Sequence, residues 1–194
     1  MIKKLFLAVA VVFFTSSMFS QNFKKGDKAL NVGIGLGWSY TSGYTGISTL
    51  APIPSFNASF EAGIVDIPNV GVIGVGGFGS FRTTWDKGGI YGYDYIYRYN
   101  NSFIAARGVF HFQFFDTGNF DLYAGVHGGL RIHNYSYNID YNGDFPDYTE
   151  SDNDVDPIAD VFAGARWMKN NKFGFFAELG YGISYLKAGI VFKF

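Results

Sequence analysis

The sequence predicts an all-β fold: an eight-stranded antiparallel up-and-down transmembrane β-barrel that follows a cleaved signal peptide. Three observations predict it. Apolar residues alternate with small or polar ones on a two-residue period in eight stretches of about ten residues, the length a tilted strand needs to cross a bilayer. One of the two faces so defined carries no charge in any of the eight stretches. The connections between them alternate between short turns and longer polar segments, as in barrels with short turns at one membrane face.

Residues 1–20 have the layout of a secretory signal peptide. Lys3 and Lys4 precede ten apolar residues (5–14), and Thr15, Ser16 and Ser17 follow. Ten apolar residues are too few to cross a bilayer as a helix. No later run approaches a helical span, so a membrane-embedded chain must close a barrel to satisfy its backbone groups. Cleavage is expected before Gln21, with cleavage after Ser17 as the alternative, leaving one barrel domain over residues 21–194.

After a basic leader (Lys24, Lys25, Lys28), the first strand sets Leu30, Val32, Ile34, Leu36 and Trp38 against Asn31, Gly33, Gly35, Gly37 and Ser39. Residues 41–52, rich in Ser, Thr and Gly, are expected to form a loop. The second strand alternates Phe56, Ala58, Phe60, Ala62 and Ile64 with Ser55, Asn57, Ser59, Glu61 and Gly63, and turns at residues 66–69. In the third, the register that keeps Arg82 inside puts Ile73, Val75, Gly77, Gly79 and Phe81 outside. Residues 86–101 are expected to be a loop holding Tyr91, Tyr93, Tyr95, Tyr97 and Tyr99. These tyrosines are out of phase with the outer face of strand four, so a bulge is expected near residues 100–102.

Strand four places Ile104, Ala106, Gly108, Phe110 and Phe112 outside, with Ala105, Arg107, Val109, His111 and Gln113 inside. A turn at residues 116–119 leads to strand five, with Leu122, Ala124, Val126, Gly128, Leu130 and Ile132 outside. Asp121, Tyr123, Gly125, His127, Gly129, Arg131 and His133 face in. Residues 134–156 are expected to be the longest loop. Strand six opposes Ala159, Val161, Ala163, Ala165 and Trp167 to Asp160, Phe162, Gly164 and Arg166, and residues 169–171 turn. Strand seven opposes Phe173, Phe175, Ala177, Leu179 and Tyr181 to Gly174, Phe176, Glu178 and Gly180, and a brief connection at 182–184 enters strand eight.

The charge-free face suits lipid, because a charge at the bilayer midplane costs roughly 2–4 kcal/mol. A soluble, lipocalin-like barrel is the alternative, and would have to pack its many glycines against buried charges or coat its outside with them. The other face collects Glu61, Arg82, Arg107, Asp121, Arg131, Asp160, Arg166, Glu178, Lys187 and Lys193. An eight-stranded barrel is only wide enough for side chains to fill, so these groups are expected to pair as a lumenal charge network. Counting from the turns puts Glu61, Asp121, Arg166 and Lys193 near one end. Arg107, His127 and Glu178 fall in the middle, and Arg82, Arg131, Asp160 and Lys187 towards the other mouth. A plug of ion pairs is the expected role; a narrow ion or proton path through His111, His127 and His133 is the alternative.

At 194 residues the chain is one domain, with 20% aromatic residues, 26 Gly and only 16% charge. It lacks cysteine, which excludes disulfides, thiolate metal sites and thiol nucleophiles. A net charge of −1 without a Lys/Arg cluster points away from nucleic acid.

The final residues, Lys187, Gly189, Phe192 and the terminal Phe194, alternate on a two-residue period. They resemble the C-terminal assembly signal of Gram-negative outer-membrane β-barrels. With the rest of the pattern, the chain resembles the small eight-stranded barrels typified by the OmpA transmembrane domain, OmpX and porin-family relatives. That resemblance implies an outer-membrane location among lipid and lipopolysaccharide, insertion by the barrel-assembly machinery, and an extracellular partner met through loops 86–101 and 134–156. It implies a non-enzymatic role in surface interaction or envelope integrity, with a porin-like channel for small solutes as the alternative.

Gly74, Gly76 and Gly79 fit a dinucleotide-binding glycine pattern, but no helix follows them. Asp140, Asp144, Asp147, Glu150, Asp152, Asp154 and Asp156 make an acidic segment without Lys or Arg. A solvated acidic loop is expected, and a weak divalent-cation site touching lipopolysaccharide is the alternative. The tyrosines offer a stacking surface or, as expected here, an interfacial girdle with Trp38, Trp85 and Trp167. His133, Ser136 and Asp140 are the nearest approach to the Ser, His and acidic set of barrel enzymes that modify lipid A. No catalytic residue, cofactor or resident metal is expected.

Overall fold

Strand β1 (Lys28–Leu36) opens a series of β2 (Ser55–Ile67), β3 (Gly71–Ile90), β4 (Tyr93–Phe112), β5 (Phe120–Asp140), β6 (Tyr148–Met168), β7 (Phe173–Tyr181) and β8 (Leu186–Lys193). Each pairs antiparallel with its neighbour in sequence. β8 returns to β1, with Gly33 opposite Gly189 and Leu30 opposite Phe192, and closes the barrel. Within the closed section no edge is left for unwanted pairing. The computed structural model describes residues 23–37, 54–90, 93–113, 119–140 and 148–194. The proposed signal peptide, the loop at 41–52, Trp38, Tyr91 and most of the turn at 116–119 lie outside the described residues.

The period of two does the sorting. Continuous rows cross the four long strands: Val75, Gly108, Val126 and Val161 stand side by side, as do Gly77, Ala106, Gly128 and Ala159. The even-phase residues on β4 and odd-phase residues on β3 face out with their cross-strand partners, and large apolar residues of this face, such as Ile104 on β4, Val126 and Leu130 on β5 and Leu179 on β7, are at least half exposed. The outward apolar band on β4 runs from Phe112 up to Ser102. About ten residues at ~3.3 Å each, tilted by ~40°, make a belt about 25 Å tall. Above it the outward row changes to Thr83, Asn100, Asn134 and Asn153, which marks a polar boundary. Trp167, stacked near Phe175, and Trp85 face outward towards the two ends of the belt.

The structure corrects three local expectations. Residues 86–101 and 134–156 are mostly strand rather than loop: β3 and β4 pair from Arg82–Asn101 up to Ile90–Tyr93, and β5 and β6 pair up to Ile139–Tyr148. The cause is local chemistry. Tyr at alternate positions is itself a strand pattern, and the Asn, Asp and Ser between them signal a loop only when no neighbouring strand satisfies the backbone. The expected bulge at 100–102 is absent, the β3–β4 register being unbroken there, and the irregularity falls instead on β2 between Gly63 and Val65. Tyr95, Tyr97 and Tyr99 therefore keep the inward phase of Arg107 and do not form a lipid-facing girdle. Four strands, β3 to β6, thus rise well beyond their neighbours as a wall on one side of the mouth.

Gly189 of the terminal pattern has a specific packing reason. A Cβ there would collide with the Val32 carbonyl oxygen and come within 2.9 Å of the inward Phe176 ring. Overpacking of this kind costs about 1–3 kcal/mol. Gly189→Val is expected to lower the urea midpoint of folding in lipid vesicles accordingly, whereas Ala188→Val, on the exposed side of the same strand, leaves it near the parent value.

Candidate functional site

The lumen is filled by one continuous polar network between two apolar layers. Seven of the eight strands deliver inward residues to it: Asn31 from β1, Glu61 from β2, Arg107 and His111 from β4, Asp121, Tyr123 and His127 from β5, Asp160 and Arg166 from β6, Glu178 from β7 and Lys187 from β8. All are buried. Arg107 is the hub. Its Nε donates to Glu61 Oε2 at 2.8 Å, Nη2 to Glu178 Oε1 at 2.6 Å, and Nη1 meets His127 Nε2 at 3.0 Å. The guanidinium also lies over the Phe162 ring, 4.1 Å from its centroid.

Arg166 is a second hub towards the turn end. It donates to Glu61 Oε1 at 2.6 Å, Asp121 Oδ2 at 3.2 Å and Asn31 Oδ1 at 3.2 Å, and lies over Tyr123. Tyr123 in turn donates its hydroxyl to Glu178 at 3.0 Å. Lys187 Nζ stands 3.2 Å from Glu178 and 3.5 Å from Asp160. Arg is suited to such hubs because its planar fork serves several carboxylate oxygens at once.

The hydrogen-bond geometry sets the two histidines apart. His111 Nδ1 is 2.9 Å from Asp121 Oδ1 and its Nε2 is 3.1 Å from Glu61 Oε1. Nδ1 hydrogen-bonds Asp121, and Nε2 lies close to Glu61 without hydrogen-bond geometry; carboxylates beside both nitrogens favour the imidazolium. His127 Nε2 faces the donor-only Arg107, so it accepts there, and Nδ1–H donates to Asp160 at 2.8 Å. His127 is therefore neutral. Four carboxylates (Glu61, Asp121, Asp160, Glu178) then meet four cations (Arg107, Arg166, Lys187, His111), and the charges cancel.

Apolar side chains close the network at both ends. At the turn end Phe23, Ala29, Val72, Met168 and Val191 form a buried cluster. Phe23 lies ahead of β1 and folds back beneath the barrel, its ring stacked on His111 at 4.1 Å and its carbonyl accepting from Gln113. At the other end Phe78, Phe103, Ala105, Ile158 and Ile183 pack together, Ile183 coming from the β7–β8 connection.

The expected layering is only partly followed. Asp160 and Lys187, placed by counting at the far mouth, reach the central ions. Lys193 leaves the network and pairs with Asp27 at the rim, at 3.1 Å. Arg82 is half-buried beyond the Phe78 layer and belongs to none of the central ion pairs described. Arg131 pairs instead with Asp156 in the rising wall.

That wall carries a second inward surface. Tyr97 stacks on Tyr137 at 4.4 Å, with Tyr95 and Tyr99 alongside, and Tyr99 leans on Tyr135. Beside them β6 presents Glu150, Asp152 and Asp154, all exposed. The residues weighed as an enzyme set do not converge. His133 has the inward phase and Ser136, an odd number of residues along the same strand, the outward one, opposite Arg98 and Ser151.

No protein-family model matches the sequence, and no curated protein does. Solved structures do match. The outer membrane protein OprG from Pseudomonas aeruginosa aligns with a TM-score of 0.54 at 11% identity, over 91% of this chain and 99% of OprG. The chain has the fold of the small outer-membrane β-barrels. Ail of Yersinia pestis, solved in complex with the heparin analogue sucrose octasulfate, aligns at 18% identity with a TM-score of 0.47, over 88% of this chain and all of Ail. The N-terminal β-barrel domain of Pseudomonas aeruginosa OprF aligns at 15% identity and 0.45, over 88% and 98%. At these identities the likeness is one of fold.

Within that barrel, sequence reasoning overlooked Asn31, Tyr123 and Phe23 as members of the closure. The inward phase of Asn31 and Tyr123 was a usable signal. Phe23 had none, since it precedes the first alternating stretch.

Proposed function

We propose that the chain is a non-enzymatic integral outer-membrane protein whose lumen is closed by an ion-pair plug and whose β3–β6 wall is its surface for interaction or envelope integrity. The separation of charge supports this reading. Among the described residues, Glu61, Arg107, Asp121, Asp160, Arg166, Glu178 and Lys187 are turned inward and paired, while an apolar band about 25 Å tall faces out, the height such barrels present to lipid. Residues 1–20 direct export and are removed. Outer-membrane lipid and lipopolysaccharide surround the band, and the barrel-assembly machinery reads Lys187, Gly189, Phe192 and Phe194. The wall, rather than loops 86–101 and 134–156 as such, meets an extracellular partner, with tyrosine rings and carboxylates as its contact chemistry. No nucleic acid is involved.

A non-conducting lumen follows from the neutral, hydrogen-bonded network sealed between the Phe23 and Phe78 layers. The folded protein inserted into planar lipid bilayers is expected to show no steady single-channel conductance at moderate voltage. A reproducible unitary conductance would favour the narrow-channel reading and overturn the plug.

A further inference from the structure

We propose that His133, Asp154 and Asp156 form a divalent-metal site at the mouth of the barrel, taking a borderline first-row cation of the zinc or nickel type. The three residues lie on two paired strands rather than on a loop. His133 of β5 is the direct cross-strand partner of Asp154 on β6, and Asp156 is one inward step below. One ligand atom from each lies within 4.8 Å of the other two. His133 Nε2 is 4.0 Å from Asp154 Oδ2, and Nδ1 is 3.6 Å from Asp156 Oδ2.

Two further observations point to a ligand. Although the His133 side chain is 31% exposed, its Nδ1 atom is shut off from solvent and has no hydrogen-bond partner, a state uncommon for a buried polar atom. Asp156 is held from the side by Arg131. Arg131 and His133 Nδ1 both face Asp156 Oδ2, so Arg131 fixes this carboxylate beside the imidazole, and contacts that orient a ligating group affect affinity by about 10–100-fold. Arg131 is thus a positioning residue for the Asp156 carboxylate. Ligand bonds of about 2.0–2.2 Å need the three groups to draw together by about an ångström, which the exposed Asp154 side chain, at 63%, is free to do. One imidazole and two carboxylates make a borderline donor set, better suited to zinc or nickel than to calcium or magnesium. The remaining coordination positions open outward, towards water or an external ligand.

The test is isothermal titration of the untagged, folded barrel in detergent with Zn²⁺, and separately with Ca²⁺ and Mg²⁺. One saturable equivalent of Zn²⁺ is expected, with affinity at least about tenfold above either alkaline-earth ion. His133→Ala and Asp154→Asn each weaken it by at least about tenfold, and Arg131→Gln weakens it about 10–100-fold with the stoichiometry kept. Gel mobility before and after heating checks that each variant is folded. The unmodified protein supplies an independent readout. Paramagnetic Ni²⁺ is expected to broaden the His133 ring resonances and spare His111 and His127, which are sealed in the lumen. Absence of a saturable equivalent, equal Zn²⁺ binding by the His133 and Asp154 variants, Ca²⁺ binding as tight as Zn²⁺, or equal broadening of all three histidines would each overturn the proposal.

Discussion

Glu61→Gln is expected to be among the most damaging single substitutions in the barrel, lowering folding stability by about 3–5 kcal/mol. The side chain keeps its size and loses only its charge. Glu61 is completely buried and serves Arg107, Arg166 and His111 at once, at 2.8, 2.6 and 3.1 Å. Its neutralisation leaves three cations sharing one fewer carboxylate in a dry interior, where an unmatched charge is costly because nothing else can solvate it. The comparison is Lys193→Met, which removes a cation from the rim pair with Asp27. Those side chains are 16% and 29% exposed, water screens them, and the loss is expected to stay below about 1 kcal/mol. Combining Glu61→Gln with Arg107→Met restores electrical balance and should recover much of the loss, as a double-mutant cycle would register. Urea-dependent folding into phospholipid vesicles measures all three. If Glu61→Gln costs no more than Lys193→Met, the lumen is hydrated and the plug reading fails.

The identity of the lumenal residues was legible because a strand has only two faces. Once Arg107 is assigned inward, parity assigns Ala105, Val109 and His111 with it, and the same rule sorts every strand whose register is unbroken. What parity does not contain is height. Closing a barrel requires a stagger between strands, so residues equally far from their own turns are not level. Asp160 and Lys187 were therefore assigned to the far mouth, whereas stagger and long side chains bring them to Glu178 and His127. Polarity misled in a different way. Asn134, Asn138 and Asp152 look like loop residues, yet each sits in the β5–β6 ladder beyond the apolar belt. Water can solvate both faces of a sheet there, and the usual apolar strand signal vanishes although the backbone pairing continues. The tyrosines marked that continuation. Their period matched the strand, and they were set aside only because their phase differed from that of the outer apolar face.

The second large effect tests which face meets lipid. Val126 sits midway up the outward band, 55% exposed, between Gly108 and Val161. Val126→Arg is expected to cost roughly 2–4 kcal/mol when the protein folds into a bilayer, because the guanidinium must be carried to the hydrocarbon midplane. The same substitution at Val155, 54% exposed near the polar boundary formed by Asn134 and Asn153, should cost no more than about 1 kcal/mol, since the long side chain can reach the headgroups. The two positions share a strand-pair environment, a parent residue and nearly the same exposure, so their difference isolates depth. A water-facing surface has no depth, and there both substitutions would fall within about 0.5 kcal/mol of the parent. Tryptophan fluorescence during urea titration in vesicles gives both values. A gradient from Val126 to Val155 requires an apolar solvent around the barrel, while two small and equal effects would mean that water surrounds it, and the inward charges would then need another explanation.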